Sequence, residues 1–472
     1  MHTIYIMKSY DLIVIGSGGG TKLRPASSLG KKVAIIEKDS LGGTCLNRGC
    51  IPSKMLIYPA DLITHWKEDK KNFFITGGDD ISVDFKALVE RTNSLVSKDS
   101  DSIKIAYEEN ENVDFYHGHG RFIGPKVIEV NGETITAPMI YIATGARPMV
   151  PLIPGLAGTP YMTSTEALKN TKQPTSLIVI GGGYIGVELG HFYGAVGTDV
   201  TFIVRGEMIS AEDKDIRAVF TKDFSERYNV EQGKNISSVS YVDRIFTVET
   251  TDKKTGESKT LTSEALLVAT GVTHNSDTLG LENTNVNIDE QGRIIVNDHL
   301  ETHEPGVYAF GDVVGNFYFR HSANFEGEYL FGQHYGSKEK APIDYSPVPH
   351  AIFTYPQVAG VGMTEDALIK NGLVSGKDYS VGINHYRNSA MGDAMRAEVG
   401  FVKLIADKKT RKLLGAHIIG EKASDIIHML IAYITVGATA DQLLEMIYIH
   451  PALSENIRNA TRKLIVELDA EL

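Results

Sequence analysis

The sequence predicts an α/β protein with two Rossmann-like dinucleotide-binding domains and a separate C-terminal α+β domain. Three observations carry this. An apolar strand running into a glycine turn occurs twice, each copy is followed later by a strand closing on Ala-Thr-Gly, and the texture changes from about Pro347 onward. The 472 residues suit about three domains at roughly 150 residues each.

The first copy opens with Asp11-Leu-Ile-Val-Ile-Gly-Ser-Gly18, continues as a helix, and ends in a second strand, Leu29 to Glu37. The second opens with Ser176-Leu-Ile-Val-Ile-Gly-Gly-Gly-Tyr-Ile-Gly186 and ends in Val196 to Val204. Strand, glycine turn, helix, strand is the start of a dinucleotide-binding fold. Gly181, Gly183 and Gly186 complete the G-x-G-x-x-G pattern, which lets a pyrophosphate approach backbone at a helix N-terminus. In the first copy Gly16 and Gly18 fit, but Thr21 stands at the third position, so looser helix–strand packing is expected there. Glu37, at the end of the second strand, is placed to accept hydrogen bonds from ribose hydroxyls.

The apolar strands Ile140 to Gly145 and Ala265 to Gly271 each close on Ala-Thr-Gly, and Arg147 to Gly158 reads as a linker. Helical patterns fill Ser53 to Asn110, where the run Lys67 to Lys71 reads as a solvated face. Val113 to Val130 alternates and reads as strands, with His117 and His119 as structural residues. The C-terminal part alternates strands (Gly400 to Ile405, Leu413 to Ile419) with helices (Ala423 to Val436, Ala440 to Met446).

Hydrophobic residues at 42% and charged residues at 22% are ordinary for a globular protein. A net charge of −12 gives nothing that attracts nucleic acid or an anionic membrane. The N-terminal sequence lacks a signal-peptide pattern, and no apolar run reaches the roughly 20 residues needed to span a bilayer, so a cytoplasmic location is expected. Only two cysteines occur, Cys45 and Cys50, inside the dense segment Gly42-Gly-Thr-Cys-Leu-Asn-Arg-Gly-Cys-Ile-Pro-Ser-Lys54. A close pair in a reducing compartment suggests redox chemistry, since two thiols without suitably spaced histidines make no zinc site. No metal is expected.

This segment, both dinucleotide motifs, both Ala-Thr-Gly strands, Gly311-Asp312 and the ending His450-Pro-Ala-Leu-Ser-Glu455 together resemble the class I pyridine nucleotide-disulfide oxidoreductases over essentially the whole chain. That family includes dihydrolipoamide dehydrogenase, glutathione reductase, mycothione reductase and mercuric reductase. The resemblance implies FAD and NAD or NADP as cofactors. It implies an FAD-binding domain over 1–148, an NAD(P)-binding domain over 149–273, the remainder of the FAD and central region over 274–345, and a dimerisation domain over 346–472. Cys50 would lie against the flavin as the charge-transfer thiolate and Cys45 would exchange with substrate. Lys54, paired with Glu188, would sit at the reactive edge of the isoalloxazine, and Tyr184 would cover the face where nicotinamide docks. Gly16, Gly18, Glu37, Gly43, Thr44, Thr144, Gly145 and Asp312 would contact FAD. Gly181, Gly183, Tyr184, Gly186, Arg205 and Gly271 would contact NAD(P). His450, oriented by Glu455, would be the acid/base, supplied by the partner subunit of a homodimer.

With Gly30 set against Gly197, Val204 stands opposite Glu37 and is followed by Arg205. A missing carboxylate beside an arginine favours a 2′-phosphate, although Ala211 stands where NADPH-using relatives carry a second arginine. The Cys45 to Lys54 segment reads most like dihydrolipoamide dehydrogenase, whereas His450-Pro-Ala and Ile203-Val-Arg-Gly206 look more like mycothione reductase. A dihydrolipoamide dehydrogenase type therefore comes first and an NADPH-dependent low-molecular-weight disulfide reductase second. A structural flavoprotein subunit docked in a multienzyme complex is the third reading. Mercuric reductase is disfavoured because no cysteine pair stands near Leu472.

Overall fold

The computed structural model describes residues 7–70, 73–76, 78, 81–336 and 341–470. The first six residues, Lys71 and Leu472, used in the sequence readings above, lie outside the described residues.

Leu12–Ile15 is buried along its whole length, as expected for a parallel strand with helices on both faces. It is the middle strand of a five-stranded parallel sheet in the order Val307–Ala309, Met139–Ile142, Leu12–Ile15, Val33–Glu37, Val113–His117. The second repeat builds a four-stranded parallel sheet in the order Asn229–Gln232, Asp199–Val204, Ser176–Ile180, Ala265–Val268. A five-stranded antiparallel sheet from Pro349–Ile352 to Phe401–Asp407 and Leu413–Gly420 forms the C-terminal part, with the helix Glu455–Asp469 packed on Tyr379–His385.

The repeated Ala-Thr-Gly segments have a shared physical cause. Gly16 and Gly181 leave their strands with φ of +101° and +120°. A Cβ on Gly16 would lie 2.3 Å from the Ala143 carbonyl oxygen, and one on Gly181 would lie 2.2 Å from that of Ala269. Each Ala-Thr-Gly loop therefore crosses directly against its own glycine turn, and only glycine fits the crossing.

The two copies differ in their helices. From Gly16 to Gly30 is 14 positions and from Gly181 to Gly197 is 16, and the second helix, Tyr184–Ala195, is one residue longer than the first. The first, Gly19–Leu29, is wound as a 3₁₀-helix and contains Pro25, which has no N–H to give to the preceding turn. Thr21 does not loosen the packing as expected. Gly20 makes the close approach instead, since a Cβ there would lie 2.5 Å from Val14 Cγ1, while Thr21 Oγ1 donates to Gly18 O at 3.0 Å.

Other readings need adjustment. Val113–His117 joins the first parallel sheet, whereas Arg121–Gly124 and Val127–Val130 belong to a separate four-stranded sheet. The linker begins as a paired strand, because Ala146–Pro148 runs antiparallel to Val272–His274 and brings both crossings between the sheets side by side. Lys67 is more than a solvated residue: its Nζ donates to Ala195 O at 3.2 Å, capping the helix Tyr184–Ala195. Among the described residues no helix is long and apolar enough to cross a membrane.

Candidate active site

The thiol segment is held against the first glycine turn by backbone contact. Gly42 and Gly43 have φ of +99° and +69°, and a Cβ on Gly43 would stand 2.6 Å from Gly18 Cα. Ser17 Oγ accepts from Gly42 N at 3.0 Å, and Asn47 Nδ2 donates to Leu41 O at 2.9 Å and Gly43 O at 3.0 Å. The short helix Gly43–Arg48 then carries Cys45, and Cys50 opens the helix Cys50–Asp69. Local glycine geometry thus decides where the two sulfurs go.

One cavity of about 370 Å³ brings most of the expected residues together. Gly16, Gly18, Glu37, Cys45, Cys50 and Lys54 line it, and Tyr184, Glu188 and Asp312 also face it, as do Gly43, Thr44, Thr144 and Gly145. His119, read as structural, lines it too. Glu37 Oε2 accepts from Ser17 N at 2.9 Å and Ser17 Oγ at 2.7 Å, while Oε1 accepts from Asp39 N at 3.0 Å. These bonds fix the carboxylate, and each oxygen keeps acceptor capacity for a further donor.

Cys45 and Cys50 are free thiols joined by a hydrogen bond. The hydrogen bond from Cys50 draws the Cys45 thiol down to about 7; burial opposes this, and the charges of Arg320 and Lys54 assist it. The same bond, with burial and the Cys45 charge, drives Cys50 upward, while the charge of Lys54 and a bond to its own backbone N–H act in the opposite sense. The pair therefore releases its first proton near neutrality and titrates as a unit.

Lys54 Nζ lies 2.7 Å from Glu188 Oε2 and 4.4 Å from the centroid of the Phe353 ring. Glu188 Oε1 accepts from Phe353 N at 2.9 Å. The carboxylate thus ties the Cys50 helix to the Tyr184 helix and to the C-terminal sheet. Tyr184 donates to buried Glu212, whose other oxygen meets His350 Nε2 at 2.9 Å. Phe319 stacks on the tyrosine with centroids 6.2 Å apart.

Asp312 faces the cavity with its own backbone N–H as its hydrogen-bond partner; burial pushes its carboxyl up to about 6, with His274 and Arg320 pulling it back. A carboxyl so placed suits a hydroxyl-bearing ligand. Gly183 begins the Tyr184 helix, and a Cβ there would meet nothing within 4 Å, which leaves the helix N-terminus open to an anion. Gly186 has a different use: a Cβ there would lie 2.6 Å from Gly181 O, so it lets helix and strand touch. The tight Gly16–Ala143 crossing, the fixed Glu37 carboxylate and Asp312 together fit a dinucleotide flavin along this cavity.

Gly181, Gly183, Gly186, Gly271 and Arg205 do not line this cavity, and neither do His450 and Glu455. His450 keeps 69% of its side chain exposed while its Nδ1 lies 3.0 Å from both Glu455 oxygens. Glu455 is buried and also accepts from Arg458 at 2.7 Å and Ala452 N at 3.1 Å. Exposed Ile447 and Ile449 stand just before the histidine. Among the described residues no group of three or more His, Cys, Asp or Glu side chains is arranged to hold a metal ion.

Arg320, Glu212 and His350 escaped the sequence reading. No spacing marks them, because each reaches the site from a distant segment. Arg320 is the instructive case: it acts on both Cys45 and Asp312 from the start of the helix Arg320–Tyr335.

Comparison with known proteins agrees with this geometry. Residues 10–327 match the model of the pyridine nucleotide-disulphide oxidoreductases and residues 348–461 that of the family's dimerisation domain. The chain is 33% identical over 476 residues to mycothione reductase of Mycobacterium tuberculosis, covering 96% of this chain and 99% of the relative. It is 34% identical over 471 residues to mitochondrial dihydrolipoyl dehydrogenase 1 of Arabidopsis thaliana, covering 95% and 89%. Among solved structures, the HOCl-induced flavoprotein disulfide reductase RclA from Escherichia coli superposes with a TM-score of 0.84 at 27% identity, covering 96% of this chain and 99% of that one.

Proposed function

The chain belongs to the pyridine nucleotide-disulphide oxidoreductase family and is an enzyme, and from that premise we propose that it moves electrons between NAD(P)(H) and a small dithiol or disulfide through Cys45 and Cys50. The observation that carries this reading is the meeting of both thiols, the Lys54–Glu188 pair and the first glycine turn on one cavity. The family is FAD-dependent, and Gly16, Gly18, Glu37, Gly43, Thr44, Thr144, Gly145 and Asp312 would hold FAD here. When bound, FAD supplies two-electron exchange between the nicotinamide and the dithiol.

The chain's own residues account for the thiol chemistry. Cys45, with its first proton leaving near 7, is a thiolate at neutral pH and attacks one sulfur of a disulfide substrate. A mixed disulfide forms as the first substrate thiolate leaves and takes a proton from His450. Cys50 then gives its proton to the now neutral His450 and attacks the Cys45 sulfur, which re-forms the internal disulfide and expels the second substrate thiolate, and His450 passes that proton to it. Oxidation of a dithiol runs through the same bonds in reverse. Glu455 holds His450 in position through its Nδ1. His450 does not line the cavity of its own chain, so it serves the partner's thiols in a homodimer, and the exposed Ile447 and Ile449 would be covered there. Lys54, held in place by its ion pair with Glu188, keeps a cation beside the thiol pair.

Dihydrolipoamide is the first substrate to test, since the Cys45 to Lys54 segment favours it. Exposed Arg205 favours the second reading, an NADPH-dependent reductase of a low-molecular-weight disulfide. Steady-state turnover with NAD(H) and NADP(H) against lipoamide, glutathione disulfide and other thiol disulfides decides between them. A strong NADPH preference with no lipoamide activity overturns the first choice. Absence of bound flavin from the purified protein overturns both.

A further inference from the structure

The end of the Asp199–Val204 strand carries two cations that the thiol chemistry does not use. Val204 is buried, and the chain then emerges through Arg205 and Gly206, both exposed. The neighbouring strand Asn229–Gln232 runs parallel, with Gln232 opposite Val204. A hairpin turn from a different part of the domain folds back onto this corner. Lys253 N donates to Gly233 O at 2.9 Å, and Lys253 Nζ donates to Arg205 O at 3.4 Å. The ammonium is thus fixed at the backbone of the residue that projects the guanidinium.

Nearby acids are already committed. Glu207 pairs with Arg217 at 3.0 Å. Glu231 is taken by Lys259 and Lys234, and Asp252 accepts from Lys234 at 2.9 Å and from Lys254 N and Thr255 N. Glu257, the remaining acid of the turn, is exposed. Neither Arg205 nor Lys253 has an ion pair among the described residues. A carboxylate at such a strand end takes a ribose 2′-hydroxyl, while a cation there takes a 2′-phosphate, a near-dianion that rewards two cations over one.

We propose that Arg205 and Lys253 together seat the 2′-phosphate of NADP(H), with Lys253 supplying from the hairpin the second cation that Ala211 does not provide. The inference rests on the reading that the Gly181 turn binds the nicotinamide dinucleotide, and it is independent of the thiol substrate.

The test uses the holoenzyme and two readouts. The first is the NADPH-to-NADH ratio of kcat/KM with a quinone acceptor, which bypasses Cys45 and Cys50. The second is calorimetric binding of 2′,5′-ADP against 5′-ADP, which needs no turnover. Lys253→Ala lowers both preferences about tenfold and Lys253→Glu lowers them further, whereas Lys254→Ala on the same turn changes either by less than about twofold. A wild-type enzyme that prefers NADH, an equal effect of Lys253→Ala on both nucleotides, or an equal effect of Lys254→Ala overturns the seat. A chain that binds 2′,5′-ADP through Lys253 but reduces no acceptor keeps the seat and refutes the functional reading instead.

Discussion

Asp312→Asn is expected to stabilise the flavin-free chain and weaken its hold on FAD. Burial raises the carboxyl from 3.8 to about 6, so the folded chain without flavin binds this proton more tightly than the unfolded chain does. The sign follows from linkage. Between those two values the folded state carries more protons, so stability falls as pH rises through the window and stays reduced above it. Raising the carboxyl from 3.8 to about 6 sets an upper limit of about 3 kcal/mol on the effect. Because the carboxyl faces an open cavity, water penetration reduces this to on the order of 1–2 kcal/mol. Asparagine keeps the shape and the acceptor oxygen without the charge. Urea unfolding of flavin-stripped protein, followed by the fluorescence of the single tryptophan, Trp66, checks the stability arm at pH 4 and pH 8. The variant should match wild type at pH 4 and exceed it at pH 8. Flavin titration of the same samples should show weaker binding by the variant. An equal difference at both pH values, or a variant less stable at pH 8, refutes the assignment of burial as the cause.

Four further outcomes follow from the site. Cys45→Ser should keep flavin and quinone reductase activity but lose disulfide turnover by at least about 10³-fold, measured in parallel assays, as expected on removal of an obligate nucleophile. Iodoacetamide alkylation of the reduced enzyme should titrate with a midpoint near 7, because the lowered Cys45 thiol is a thiolate above that value, and Arg320→Met should move the midpoint upward. Glu455→Gln should reduce thiol–disulfide turnover about ten- to a hundredfold while leaving quinone reduction intact, since only the acid/base step depends on His450 orientation. Gly16→Ala should fail to give soluble flavoprotein, because its Cβ would strike the Ala143 carbonyl at 2.3 Å at a backbone φ of +101°; abundant yellow protein would refute the crossing.

Much of the architecture was legible because its causes are local. A continuous apolar run such as Leu12–Ile15 or Ser176–Ile180 is itself the signature of a strand buried on both faces. A glycine needed at positive φ leaves a visible mark, and two copies of that mark reveal a repeat. The limits were equally physical. Thr21 in the pattern suggested looser packing, yet the neighbouring Gly20 makes the contact, since a tighter helix rotates a different residue onto the strand. The strand pairing of Ala146–Pro148 with Val272–His274 joins segments more than a hundred positions apart, and proline and threonine in those stretches gave no sign of it.

By itself the sequence determined the two nucleotide folds, the thiol pair beside the first of them, and the glycine, carboxylate and histidine types suited to dinucleotide and proton chemistry. These follow from spacing along one chain, where period and turn chemistry act over a few residues. Only the tertiary structure decided that Arg320 biases Cys45, that Glu212 and His350 grip Tyr184, that Asp312 faces the cavity at a cost in proton affinity, and that His450 stands away from the thiols of its own chain. Each of these depends on through-space distance and on desolvation, which are set when separate segments pack together and leave no periodic trace in the sequence.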